Sequence, residues 1–74
     1  MVLADIKIGE NVKVAKIDLD ARTQKRLNDM GLIEGVSVKL ITYAPLGDPL
    51  LIKVRDFMLA IRKEDAKNIT VKKL

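Results

Sequence analysis

The chain contains no cysteine, no histidine and no tryptophan, with one tyrosine and one phenylalanine among 74 residues. The missing thiols and imidazoles exclude disulfides, thiolate nucleophiles, zinc sites of the usual kind and imidazole acid–base chemistry. Domains below roughly 80 residues often lean on a disulfide or a metal. Here hydrophobic packing must do that work, and a hydrophobic content of 49% makes it feasible beside 32% charged residues. The same balance argues against disorder. A chain without cysteine suits the reducing cytoplasm.

Long apolar stretches are missing too. The longest uncharged run is Leu40–Gly47, well short of the ~20 residues of a membrane-spanning helix. Met1–Glu10 carries Asp5, Lys7 and Glu10 and has no apolar centre of the secretory type. The expectation is a soluble cytoplasmic protein, not inserted in a membrane. Residues 1–74 form a single domain, since so short a chain has nothing left to enclose a second core.

What the chain does have is positive charge, +4 overall with a pI near 9.6. Such a domain can meet nucleic acid, anionic lipid or an acidic protein surface. Its fourteen Lys and Arg are scattered, adjacent only at Lys25–Arg26, Arg62–Lys63 and Lys72–Lys73. Without a polybasic block they read as a solvated surface. A nucleic-acid-binding small barrel takes support from the pI. The shortage of stacking aromatics stands against it.

Periodicity supplies the architecture. Val12 and Val14 alternate with Lys13, the period of a half-buried strand, and Ala15–Lys16–Ile17 breaks the alternation, predicting a bulge or strand end. Asp20 is placed to cap a helix. Leu27 and Met30 share its apolar face, and Gly31 stands where a left-handed residue ends it, pairing Leu27 with Leu32. Leu32–Gly35 reads as a tight turn. From Val36 to Tyr43, Val36, Val38 and Leu40 share one face, and Ser37, Lys39, Ile41 and Tyr43 the other. Two prolines and a glycine within Ala44–Pro49 forbid a ladder there.

Leu50–Arg62 is the most informative stretch. With Arg55–Asp56 as a two-residue hairpin tip, Val54 opposes Phe57, Ile52 opposes Leu59 and Leu50 opposes Ile61, all on one buried face. The tip lacks the usual Asn-Gly chemistry. Lys63–Asn68 suffices for one helical turn, and Ile69–Lys72 alternates as a last strand. The expected fold is mainly β, a five-stranded SH3-like small barrel. It has one short α-helix between strands 1 and 2 and a single helical turn before strand 5. Closure of the barrel would hide most strand edges.

The chain resembles the FeoA family, small cytoplasmic proteins associated with the FeoB ferrous-iron transporter. The resemblance runs from Ile8–Gly9 to Ile69–Thr70–Val71. It is carried by Arg26–Leu27, Met30–Gly31–Leu32, Glu34–Gly35, Leu59–Ala60–Ile61–Arg62 and, most specifically, the loop Ala44-Pro45-Leu46-Gly47-Asp48-Pro49. The chain departs from the family at Glu34, where Pro is frequent, at the glycine-free Arg55–Asp56 tip, and in a helix start reduced to Lys25–Arg26. The same barrel ends iron-dependent repressors, but this chain has no room for their DNA-reading helices. The resemblance implies a cytoplasmic accessory and regulatory protein of ferrous iron transport. It would act by protein–protein interaction with the cytoplasmic GTPase portion of FeoB or adjacent segments, which would recruit it to the inner face of the membrane. A metal-responsive module like the repressor domain is the other reading it implies.

The residues point to no enzyme, because Ser37 is the sole serine and nothing positions a carboxylate dyad. No cofactor is evident. Iron or another transition-metal ion enters only through the family association. Asp18–Asp20 and Glu64–Asp65 are the close carboxylate pairs and neither has a third ligand in sight, so no metal ligands are assigned. The expected partner surface is Pro45, Leu46, Gly47, Asp48 and Pro49 with Leu51 and Met58. Stiff prolines there present an apolar Leu46, which loops rarely need for folding, and Asp48 could pair with a basic group at the rim; the competing reading is that Leu46 folds back onto the barrel and closes its open end.

Overall fold

Alternating valines and isoleucines make the strands. The computed structural model describes all 74 residues. A 3-10 turn at Leu3–Asp5 leads into β1 (Asn11–Ile17), α1 (Ala21–Asp29), β2 (Ser37–Tyr43), β3 (Leu50–Val54), β4 (Phe57–Ile61), α2 (Lys63–Ala66) and β5 (Ile69–Lys73). All pairings are antiparallel, in the order β4-β3-β2-β1-β5. The sheet wraps its inner face into a body of 28 × 26 × 24 Å. This is the expected mainly β, SH3-like architecture with its two helical insertions. No helix is long and apolar enough to cross a membrane.

The caps of α1 follow the sequence closely. Asp20 Oδ2 accepts a hydrogen bond from the Thr23 amide at 3.1 Å, which occupies one of the free donors of the first turn. At the other end Leu32 N–H donates to Leu27 O at 3.0 Å and Gly31 N–H to Asn28 O at 3.0 Å. These are the two bonds of a Schellman motif, which requires the left-handed Gly31, φ +96°. Leu27 and Leu32 are buried, but Met30 is not. The helix ends before Met30 can turn inward, so the expected apolar pair is only half realised.

The core comprises eighteen buried residues, all hydrophobic. Leu3 and Ile6, from the irregular first residues, belong to it. Their segment lies against the last strand: Val2 bridges Thr70, and Val71 N–H donates to Met1 O at 2.8 Å. The outer edge of β5 is thereby covered. β4 and β5 do not bond to each other, so the expected closure is incomplete.

The β3–β4 hairpin has the expected register, with Leu50 opposite Ile61, Ile52 opposite Leu59 and Val54 opposite Phe57. Phe57 corrects the expectation of six buried residues. It remains 43% exposed, because the strand begins at the hairpin tip, where the core has run out of depth. A bulge at Val14/Lys16 was expected; one at Leu40/Thr42 was not. That second bulge moves Thr42 beside Leu51 on the outer face and turns Tyr43 inward beside Leu50. The shared outward face of Ser37, Lys39 and Tyr43 is therefore corrected. Tyr43 packs against the core and donates its hydroxyl to Ile6 O at 3.0 Å.

Candidate functional site: a stiff loop and an apolar hollow

The loop between β2 and β3 is tied at three points. Gly47 N–H donates to Ala44 O at 2.7 Å, and Ala44 N–H to Pro49 O at 2.9 Å. Asp48 Oδ1 accepts from the Lys63 amide at 2.9 Å, fastening the loop to the first residue of α2. The Asp48–Pro49 peptide is cis. Asp48 thus has an internal partner beside any role at a rim. Leu46 has none: it is 97% exposed, so it does not fold back to close the barrel. An ordered apolar side chain on a tethered loop loses little entropy when a partner covers it.

Leu51 and Met58 do not join Leu46 in one patch. Both lie on the outer sheet face, Leu51 opposite Ala60 and Met58 opposite Lys53. Leu51 is half-buried near the loop end of β3, whereas Met58 is 50% exposed toward the hairpin tip.

Near that tip is a second apolar site that the sequence did not suggest as one. A hollow of about 360 Å³ is lined by Met30, Gly31, Phe57 and Met58, with Asp29 and Arg55 at its margin. The Phe57 ring lies over Gly31: a Cβ there would stand 3.0 Å from Phe57 Cζ, so the ring would have to give way slightly. Exposed Met30 and Phe57, each assigned to the interior by periodicity, become its walls. The one available signal was position, since Met30 follows the last residue of α1 and Phe57 is the first of β4.

Electrostatics add little chemistry. Hydrogen bonding from the Thr23 side chain, and then from its backbone amide, holds the Asp20 carboxyl below the usual carboxylate range. Lys25 and Asp29 form the sole ion pair, at 3.3 Å and largely in solvent, where such pairs contribute ~0–1 kcal/mol. No three potential ligands among the carboxylates converge. The donor set therefore does not fit a transition-metal site, which needs several converging ligands.

Residues 1–73 match the model of the FeoA domain. A Porphyromonas gingivalis protein described as an Fe(2+) transport protein A/Fe(2+) transporter FeoB fusion is 28% identical over 96% of this chain, which spans 8% of that protein's length. The solution structure of FeoA from Chlorobium tepidum superposes with a TM-score of 0.96 at 34% identity, covering 100% of this chain and 70% of that one. FeoA of Stenotrophomonas maltophilia, solved with zinc, superposes with a TM-score of 0.81 at 29% identity, covering 97% of this chain and 89% of that one. That protein is described as a prokaryotic SH3 domain protein and offered as a candidate ferrous iron transport activating factor. A manganese-dependent transcriptional repressor, 14% identical over 36% of its length, shares the fold alone, with a TM-score of 0.90. With its SH3-like sheet, its capped helix and a family match over nearly every residue, this chain belongs to the FeoA domain family.

Proposed function

We propose that the protein serves ferrous-iron uptake as an accessory chain that contacts a FeoB-type transporter at the cytoplasmic face of the membrane, and that it is not an enzyme. The observation that carries this reading is the P. gingivalis fusion of the two functions in one chain. Covalent linkage raises the effective concentration of two modules that must meet. The lack of cysteine and histidine supports binding over catalysis. The contact includes the Pro45–Pro49 loop, with Leu46 as its apolar anchor. Deletion of the gene should lower ferrous uptake, and the restored wild-type gene should recover it. Unchanged uptake in the deletion strain would refute the proposal.

A further inference from the structure

The geometry points to β4 as an acceptor strand: its free edge takes up an extended segment of a partner protein in which apolar and acidic residues alternate. The inference rests on the reading that this protein works by binding another, and not on that other being the transporter.

The two edges of the sheet are treated differently. The initial segment covers β5 through the Val2–Thr70 bridge and the Val71-to-Met1 bond. β4 is hydrogen-bonded to β3 on one side and to nothing on the other. Exposed edges are normally guarded by charge, proline or a bulge. Phe57–Ile61 reads FMLAI, has no charge or proline, and pairs with β3 without a break in register. Phe57 and Met58 are 43% and 50% exposed.

The two sides of that edge differ chemically. On the inner side, Phe57, Met30 and Gly31 form the apolar hollow, whose lining Met58 also joins. On the outer side, Met58 stands opposite Lys53, which stands opposite Lys39. On the same face Lys13 stands opposite Lys72. Like charges directly opposed destabilise a sheet. None of these lysines has an acidic partner, since the sole ion pair is Lys25–Asp29. Glu34 borders Lys13 and Lys72 without pairing. Unrelieved conflicts of this kind are expected where a surface has a function.

A strand added beside β4 would send alternate side chains to each side. One set meets the hollow. The other passes over Met58 toward Lys53, roughly 10 Å away by strand spacing and within reach of two long opposed side chains. Main-chain bonds then supply affinity and the alternating residues supply specificity. A second copy is a poor occupant: every charge within the strands is a lysine, and no strand holds an Asp or Glu. Nucleic acid is also a poor one, because no aromatic ring stands on the outer face; Tyr43 turns inward and Phe57 lies over Gly31.

The test titrates the isotope-labelled full chain with a synthetic peptide of repeated valine–glutamate pairs. Valine–lysine and serine–glutamate repeats, a mixed-sequence oligonucleotide and vesicles of phosphatidylcholine with phosphatidylglycerol serve as comparisons. The valine–glutamate peptide should shift and protect β4 amides and bind at least about tenfold more tightly than either control peptide. Lys53→Glu should weaken that binding about tenfold while raising the thermal midpoint by about 1–5 °C, because it converts a like pair into an opposite one. Unmoved β4 amides, equal affinity for the lysine peptide, tighter binding of the oligonucleotide or vesicles, or β4 protection by self-association without peptide would each overturn the inference. Lost uptake in the deletion strain without peptide binding would refute this inference and leave the proposed function standing. Peptide binding with unchanged uptake would do the reverse.

Discussion

The ring of Phe57 rests on Gly31, so closely that a Cβ on the glycine would come within 3.0 Å of Cζ. The same glycine holds φ +96° to close α1. One position therefore joins the end of the helix to the tip of the hairpin. Gly31→Ala should cost about 1–2 kcal/mol, chiefly from the left-handed backbone. Denaturant unfolding would measure it. A midpoint equal to wild type would show that the Schellman turn tolerates a side chain.

The cap at Asp20 should be legible in the pH dependence of stability. Its folded carboxyl titrates below the ordinary range because of hydrogen bonding from Thr23. A lowered folded pKa adds stability above the unfolded value of about 3.9, and that increment disappears as pH falls through the folded value. Asn also caps but does not titrate. The difference in thermal midpoint between wild type and Asp20→Asn should therefore change on acidification from pH 6 to below 3, against the wild type. A constant difference would mean that the ionised form has no special hold on the helix.

Arg55 occupies φ +57° at the hairpin tip, the position where glycine is at ease. Arg55→Gly should stabilise the protein by ~0.5–1 kcal/mol, the relieved left-handed strain exceeding the added chain entropy. Chemical denaturation decides the sign. A loss of stability would mean that the arginine contributes more through its surroundings than its backbone costs.

Leu46→Asp should leave the thermal midpoint within a few degrees of wild type, because nothing covers Leu46. Partner binding should weaken by ~1–2 kcal/mol or more, as for an anchor residue. Co-purification with the transporter, alongside a melting curve, separates the two effects. Normal binding by this variant would remove the loop from the contact.

Most of the fold was legible because period and caps agreed. The pairing of Ile52 with Leu59, the Asp20 cap and the Gly31 terminus all follow from residues close in sequence. The misassignments arose where tertiary geometry decides. A bulge after Leu40 reversed Tyr43; the adjacent apolar Leu40 and Ile41 mark that change of phase, which a strict two-residue period runs straight through. Leu3 and Ile6 are fully buried from a segment without a period. Phe57 is hydrophobic and in register yet half in solvent, so Phe57→Ala should cost nearer ~1–2 kcal/mol than the ~3–5 of a fully buried ring. The exposure of Leu46 was legible because prolines and a glycine hold it out of any strand, whereas the hollow by Gly31 depends on two elements meeting.

Because no polar or charged residue is buried, the interior and exterior of this barrel can change independently. A substitution that reverses a charge on the sheet leaves no group stranded in the core, since no core atom depends on it. Charge substitutions on the outer face therefore act on folding only through their neighbours on the sheet.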